Sequence, residues 1–454
     1  MKQRPEVSEV IAAVATASFT SSAHAEKRRL SRQDPTTCTA VSCVAPRGAI
    51  SLRNLTASLI AVPILSLSVL TARAEKLYGP GVTDTEIKIG QTMPYSGPAS
   101  ALSTGGKAEA AYFAMVNANG GVNGRKINFI SLDDGYSPPR TVEQTRKLVE
   151  VEKVLALFSP LGTASNSAIH RYVNAKKVPH LFIASNLMRW ADPEHFPWTI
   201  QNIRPPFQLD AKLYADYILK TRPNAKIGVL YQNDDYGKDY LRGLKDGLGE
   251  KARTMIVAEV SYELTDPSVD SQIVTLKASG ADTFANFTTP KFGAQAIRRA
   301  YDIGWKPLQL ISFPASSVST VLRPAGAEKA VGLISTAVIK DPSDPQWRDD
   351  PAVKEYLAWA KQWYPEGDVG SWENAFGYTL AQLMVEVLTR CRDELTRENL
   401  LHQVTDIRNL ELPMMLPGIK INTGPHDYLP VEQVQLIRFD GERWVRFGDL
   451  VGRP

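Results

Sequence analysis

The segment Pro160-Leu161-Gly162-Thr163-Ala164-Ser165-Asn166 carries the most suggestive chemistry in the chain. It joins an apolar, strand-like run ending at Ser159 to a stretch with helical spacing. The first backbone N–H groups of a helix lack intrahelical acceptors, so a helix start with a hydroxyl makes an anion site. Gly162 and Thr163 are therefore candidate ligand-binding residues. Thr163 is also suited to cap the helix, and the two roles are compatible. Asp133-Asp134 is a second candidate, as a pair of carboxylates. Adjacent strand residues point to opposite faces, so these two cannot easily flank one bond. Loop capping is the better reading. The six histidines (His24, His170, His180, His195, His402 and His426) are scattered without metal-ligand spacing. The sequence contains no H-E-x-x-H, G-x-S-x-G, P-loop, G-x-G-x-x-G or C-x-x-C motif. No catalytic residue, metal or cofactor is expected.

The elements that must position Thr163 follow a regular alternation. Strands are expected at 86–92, 126–132, 154–159, 178–184, 226–232, 254–260, 282–288, 308–313 and 331–338. Helices are expected between them at 105–119, 141–152, 164–176, 207–221, 237–249, 268–279 and 291–303. Such alternation predicts an α/β fold of parallel sheets covered by helices. In 105–119 the residues Ala108, Ala111, Tyr112, Met115 and Val116 fall on one helical face. Asn119-Gly120-Gly121 ends that helix with residues that tolerate a left-handed backbone. Asn123-Gly124 makes a tight turn into the next strand.

The series breaks at Ile203-Arg204-Pro205-Pro206 and at Asp341-Pro342-Ser343-Asp344-Pro345. Each X-Pro step disfavours helix, and these breaks are read as the neighbourhood of lobe crossings. Helices at 351–363, 371–390 and 396–403 follow the second break. A final hairpin, 432–439 with 444–447, turns at Asp440-Gly441. The two strand–helix series look like two similar lobes.

Composition sets the class. The chain has 454 residues, 43% hydrophobic and 22% charged, as in ordinary globular proteins. Its length suggests two or three domains. The net charge of +4 is unevenly placed. Residues 1–74 hold nine Lys/Arg and four Asp/Glu, which leaves 43 basic and 44 acidic side chains in the rest. A body that is close to neutral has no basic footprint for nucleic acid.

The leader is informative. Arg47 and Arg53 precede an apolar run at 59–70, and Ala72-Arg73-Ala74 follows. This order reads as a signal peptide at 47–74. The apolar run is shorter than the about 20 residues a membrane span needs. Residues 1–46 are Ala/Ser/Thr-rich, lack periodicity and include a weaker signal-like run ending Ala23-His24-Ala25. The hypothesis is that 1–46 is a non-native or disordered extension and that translation begins later, at a non-Met start codon. N-terminal sequencing that found 1–46 in the precursor would reject it. Cys38 and Cys43 lie in the leader, leaving Cys391 alone in an apolar helical pattern, where a buried inert thiol is expected. With no lipid-attachment cysteine after the apolar run, a soluble periplasmic protein is expected.

Four segments then carry a resemblance. They are Ile87-Lys88-Ile89-Gly90 with Pro94-Tyr95-Ser96-Gly97, Asn119-Gly120-Gly121-Val122-Asn123-Gly124-Arg125-Lys126, Leu132-Asp133-Asp134 with Pro138, and Tyr231-Gln232-Asn233-Asp234-Asp235-Tyr236-Gly237. In order and spacing they resemble the leucine/isoleucine/valine-binding proteins of ABC transporters, the type I periplasmic binding fold. The resemblance runs from about Asp84 to about Asp440. It implies two lobes joined by a multi-strand hinge, with 75–204 and 337–428 in lobe one and 205–336 and 429–454 in lobe two.

The resemblance also implies ligand contacts. Thr163 matches the family position that holds the ligand carboxylate. Ala184 and Asn186 match positions that contact the ligand backbone. Tyr236 matches the aromatic that closes over it from lobe two. Tyr95 and Trp190 are expected as cleft walls, and Thr288 as a lobe-two contact. The family's lobe-one disulfide positions correspond to Tyr136 and Gly162, so that bridge is absent. Amino-acid binders of the family place a carboxylate in lobe two. Here Ser312-Phe313-Pro314-Ala315-Ser316-Ser317 has no acid, and neither has Asn286-Phe287-Thr288-Thr289-Pro290. An unpaired ammonium in a closed cleft is costly. A carboxylate-bearing ligand without an amine is therefore favoured, with aromatic acids, aliphatic mono- or dicarboxylates and small amides as candidates. The partners implied are that small molecule and an ABC transporter permease, with the binding protein a monomer. The alternatives are a branched-chain amino acid binder, a ligand-sensing module that feeds a receptor, and an enzyme.

Overall fold

The computed structural model describes residues 76–453. The expected signal peptide at 47–74 and the extension at 1–46 lie outside the described residues. Five parallel strands form a first sheet: β1 (Glu86–Met93), β2 (Lys126–Asp133), β3 (Ala156–Phe158), β4 (His180–Ile183) and β5 (Thr199–Gln201). Their order is β2-β1-β3-β4-β5, and β1 pairs with β2 from Glu86 opposite Lys126 to Met93 opposite Asp133. Ile87, Ile89, Ala156, Leu157, Phe158, Leu181 and Ile183 are buried, on both faces of the sheet. A parallel sheet covered on both sides requires such apolar runs. The connecting helices are α1 (Thr104–Ala118), α2 (Pro138–Arg146) and α3 (Thr163–Ala175).

The second sheet has seven strands: β6 (Ile227–Gln232), β7 (Ile256–Tyr262), β8 (Thr283–Phe287), β9 (Leu308–Ile311), β10 (Ile334–Ala337), β11 (Gln435–Phe439) and β12 (Trp444–Arg446). The order is β12-β11-β10-β9-β8-β6-β7, with β11 antiparallel to both β10 and β12. Helices α4 (Phe207–Thr221), α5 (Asp235–Leu248), α6 (Asp270–Ala278) and α7 (Pro290–Asp302) serve this sheet. Three later helices, α8 (Pro351–Trp363), α9 (Trp372–Cys391) and α10 (Arg397–Val404), return to the first sheet, where α9 lies along α1. The chain thus passes between the two sheets three times, at 202–206, 338–340 and 428–434. Among the described residues no helix is long and apolar enough to cross a membrane.

Local chemistry fixes the element ends. Asp350 Oδ1 accepts from the N–H groups of Ala352 and Val353 at 2.9 and 3.2 Å, and Pro351 opens α8. Proline suits that position, where its missing N–H costs nothing. The same effect moves the helix expected at 141–152 back to Pro138, and it continues as a π-helical turn at Lys147–Val151. The strand expected at 154–159 is shorter, because Ser159 takes a left-handed backbone with φ 52°. β5 and a two-residue pair, Leu77–Tyr78 with Glu394–Leu395, were not expected, since runs this short show no periodicity.

α1 departs from its expected single face. Its fully buried residues are Gly106, Ala108, Glu109 and Phe113, while Ala111, Tyr112, Met115 and Val116 are half-buried. The helix is covered on two sides, since Tyr112 also meets Trp359 and Tyr378 at ring distances of 6.2 and 5.0 Å. Cys391 is buried, and burial pushes its thiol up to about 12.

Candidate functional site

The carboxyl ends of the two sheets converge on a cavity of about 100 Å³. Ligands of open α/β sheets bind at such strand ends, where loops and helix starts meet. Gly162, Thr163, Ala184, Asn186 and Tyr236 all line it, so five of the eight expected residues come together.

Thr163 is the first residue of α3 and is buried. Its Oγ1 lies 2.8 Å from Ser185 Oγ, so it does not cap its own helix. Gly162 stands at the cap with φ 110°, a conformation that favours glycine. A side chain there would also meet Tyr136, whose ring lies 2.9 Å from the Cβ position. The aromatic ring thus fills the space beside Gly162, the two positions where the family resemblance implies a disulfide. Ser159 and Tyr136, both cavity-lining, are left-handed non-glycine residues with φ 52° and 59°. Backbone strain of this kind gathers at binding sites.

Ser185 links the wall to its support. Its Oγ accepts from Trp190 Nε1 at 3.1 Å, which puts Trp190 behind the wall rather than in it. Asn186 Nδ2 donates to Asn202 Oδ1 at 2.7 Å and to the Arg204 carbonyl at 3.1 Å. These bonds tie the β4 loop to the first passage between the sheets. Tyr236 Oη lies 2.9 Å from both the Thr288 carbonyl and Ser312 Oγ. Its hydroxyl is engaged there, so the residue offers the cavity its ring. Thr288 itself bonds Asn286, and its neighbour Thr289 lines the cavity instead. Tyr95 also sits behind the wall, with Oη 2.7 Å from Ser131 Oγ and burial raising the phenol to about 12. Tyr95, Trp190 and Thr288 are therefore supports, not walls.

Asp133 and Asp134 cap loops away from the cavity. Asp133 Oδ1 accepts from the N–H groups of Ser96 and Gly135 at 3.1 and 3.0 Å. Asp134 accepts from Tyr136 N and Thr141 Oγ1 at 2.9 and 2.7 Å.

The structure adds acids that the sequence reading did not find. Glu109 on α1 and Glu373 on α9 both line the cavity and are buried. Glu109 Oε2 accepts from Gln91 Nε2 at 2.5 Å. Burial raises its carboxyl to about 8, against the pull of Ser159 and Gln91. Glu373 accepts from Ser371 Oγ at 2.5 Å, Ser317 Oγ at 3.2 Å and Thr320 Oγ1 at 3.4 Å. Burial raises it to about 7, against those hydroxyls. The 286–290 and 312–317 segments give the cavity only Thr289, Phe313 and Pro314. The acids come from helices instead. One sequence signal pointed to Glu109: it stands three residues after Gly106 and four before Phe113, on the buried face of α1.

Arg204 also lines the cavity, and its charge is answered internally only in part, since its Nη1 is buried without a partner. Its Nη2 donates to Asp210 Oδ2 at 3.1 Å and Thr336 Oγ1 at 3.0 Å, and the guanidinium lies 3.3 Å from the Phe313 ring centroid. Six aromatic side chains complete the wall: Tyr136, Phe207, Tyr236, Phe313, Trp372 and Phe376. Contacts join the two sides at the rim. Arg189 Nη2 is 2.6 Å from Asp235 Oδ2, and Trp372 meets Phe313 at 3.9 Å between rings. No group of three or more His, Cys, Asp or Glu side chains among the described residues could hold a metal ion.

Comparison with known proteins decides the family. A model of the periplasmic binding protein family matches residues 86–442. The chain belongs to the periplasmic binding protein family. Within it, this periplasmic binding protein is similar to proteins of the Leu/Ile/Val-binding type. It is 23% identical over 256 residues to Leu/Ile/Val-binding protein homolog 7 of Brucella suis, a match covering 55% of this chain and 62% of the relative. The chain thus spans about 62% of the length of the first curated relatives it matches. A branched-chain amino acid ABC transporter structure from Thermus thermophilus, with bound valine, superposes with a TM-score of 0.73 at 16% identity. That match covers 82% of this chain and 98% of the other. A fatty acid ABC transporter substrate-binding protein from Thermomonospora curvata gives a TM-score of 0.69 at 24% identity, covering 83% and 95%. These periplasmic binding proteins share the type I fold with this chain: α/β lobes of parallel sheets flanked by helices.

Proposed function

We propose that this protein is the periplasmic solute-binding component of an ABC importer and that it captures a small carboxylate-bearing ligand by lobe closure. The observation that carries the reading is Thr163, which opens α3 inside a cavity at the strand ends and pairs with Ser185. A helix start with two hydroxyls offers a carboxylate its donors and a favourable dipole. Residues 75–204 and 337–428 form one lobe, and 205–336 with 429–454 form the other. The ligand binds first to the α3 and β4 wall. Tyr236 and Phe313 then close on it, and the closed form is favoured by its differential affinity. The signal peptide at 47–74 directs export, and a permease receives the ligand. The protein acts as a monomer and catalyses no reaction.

The walls favour an aromatic or compact aliphatic acid over an amino acid. The cavity, about 100 Å³ and open to solvent on one side, favours compact ligands that its walls can enclose on closure. Burial holds Glu109 protonated near neutral pH, and Glu373 is bonded by three hydroxyls. Glu109 is therefore no ready carboxylate for an ammonium, and Glu373, raised to about 7, is only partly ionised there and already occupied by those hydroxyls. The relatives' ligands do not decide this point: one neighbour is named for fatty acids and another holds valine, and both kinds of ligand carry a carboxylate.

A second reading, an amino-acid binder, is favoured by the same two acids. A ligand ammonium would pull a neighbouring carboxyl back toward ionisation. Calorimetry with leucine against 4-methylpentanoate, and phenylalanine against 3-phenylpropanoate, separates the readings. The acids bind at least tenfold more tightly on the first reading. Tighter binding of the amino acids would install the second.

A further inference from the structure

Resting on the carboxylate reading above, we infer that Glu109 forms a second polar contact for the ligand, so that the ligand is bifunctional: a carboxylate at Thr163 and a hydroxyl or carbonyl group at Glu109. The two residues reach the cavity from different elements. Thr163 follows β3, and Glu109 stands in the second turn of the helix that follows β1. β1 and β3 are neighbours in the sheet, so both residues face the same strand ends. Apolar and aromatic side chains make up about half of what else lines the cavity, and Thr163 and Glu109 are among the polar groups that can fix orientation there.

Glu109 is held for that task. Gln91 Nε2 donates both to Glu109 Oε2 at 2.5 Å and to the Ser159 carbonyl at 3.0 Å. Gln91 Oε1 accepts from Ser131 Oγ at 2.7 Å, and Ser131 lies 2.7 Å from Tyr95 Oη. The Gln91 amide is thereby locked in one orientation, with its N–H toward Glu109. A carboxyl that stays protonated carries one O–H donor together with acceptor capacity. It can therefore bond a ligand hydroxyl in either sense or donate to a carbonyl, without placing a charge in an apolar cavity. A methyl or methylene at the same point would leave the carboxyl unmatched, and such mismatches discriminate strongly between ligands.

The test is calorimetry on the purified protein and on the Glu109→Gln and Glu109→Leu variants. The probes are benzoate against 3- and 4-hydroxybenzoate, and pentanoate against 5-hydroxypentanoate. In the wild type at least one hydroxy acid binds about tenfold tighter than its parent acid. Glu109→Gln, which keeps a neutral hydrogen-bonding group of the same shape, retains most of that ratio. Glu109→Leu brings the ratio to within about twofold. Hydroxy acids that bind no better than their parents in the wild type would overturn the inference while leaving the carboxylate reading intact. So would an unchanged ratio in Glu109→Leu. Failure of every acid to bind the wild type would remove the carboxylate reading itself, and this inference with it.

Discussion

At the scale of single residues, the carboxylate proposal turns on Thr163 Oγ1 and Ser185 Oγ, 2.8 Å apart at the start of α3. Gly162 and Thr163 were readable because helix-start chemistry is local in sequence, and both line the cavity. Tyr95, Trp190 and Thr288 misled because proximity along the chain says nothing about which layer a side chain occupies. Trp190 lies one hydrogen bond behind the wall, through Ser185. Glu373 escaped notice because its burial depends on helix packing that no local pattern records, and Glu109 because its spacing with Gly106 and Phe113 is a weak signal by itself. Thr163→Ala should weaken binding of a carboxylate ligand by about tenfold or more, since hydrogen bonds to charged groups carry ~1.5–3 kcal/mol. Its melting temperature should fall only slightly, as one buried hydroxyl pair is lost. Calorimetry and thermal melts check both. The two raised acids make a further prediction about pH. In the folded, ligand-free protein Glu109 and Glu373 hold their protons up to about 8 and 7, against an ordinary 4.5. The native state then binds more protons than the unfolded state between those values. The stability these groups contribute is fully present below about 4.5 and is lost as pH rises through about 7 to 8. Urea midpoints measured across that range should decline, and Glu109→Gln should flatten the decline. Equal slopes in both proteins would contradict the assignment of burial to Glu109.

At the scale of elements, the long amphipathic segments were readable nearly to the residue. The helices expected at 207–221 and 351–363 are Phe207–Thr221 and Pro351–Trp363. In each, a proline at or before the first turn marks the start, and the helical period carries the rest. Short strands were not readable, because three residues such as Thr199–Gln201 contain no period to detect. The pairing of α1 with α9 was not readable either, although the two helices bring Glu109 and Glu373 to the cavity. It depends on a glycine contact between segments about 270 residues apart, and only the fold brings them together. A Cβ at Gly377 would lie 2.4 Å from the Gly105 carbonyl oxygen. Gly377→Ala should therefore force the helices apart and destabilise the protein by roughly 1–3 kcal/mol. It should also displace Glu109 and Glu373, so ligand affinity should fall along with the melting temperature. A variant that melts and binds like the wild type would show that the crossing has slack.

At the scale of the whole molecule, two mostly parallel sheets, three chain passages and a cavity at the strand ends are the features on which the proposed closure rests. Rim contacts such as Arg189 with Asp235 hold the sides together, yet both partners are about half exposed. Exposed pairs contribute only ~0–1 kcal/mol, so Asp235→Ala should lower affinity by no more than about fivefold. On the closure proposal, the apolar and aromatic walls, with the donors at Thr163, then supply most of the closing free energy. The central claim is that a ligand carboxylate sits at the start of α3. It is tested most directly by calorimetry of the wild type and Thr163→Ala with each acid that binds and its primary amide, matched in shape and lacking only the charge. The account predicts that the acid binds the wild type at least tenfold tighter than its amide and that Thr163→Ala removes most of this difference. Equal binding of acid and amide, or an acid preference unchanged in Thr163→Ala, would contradict it.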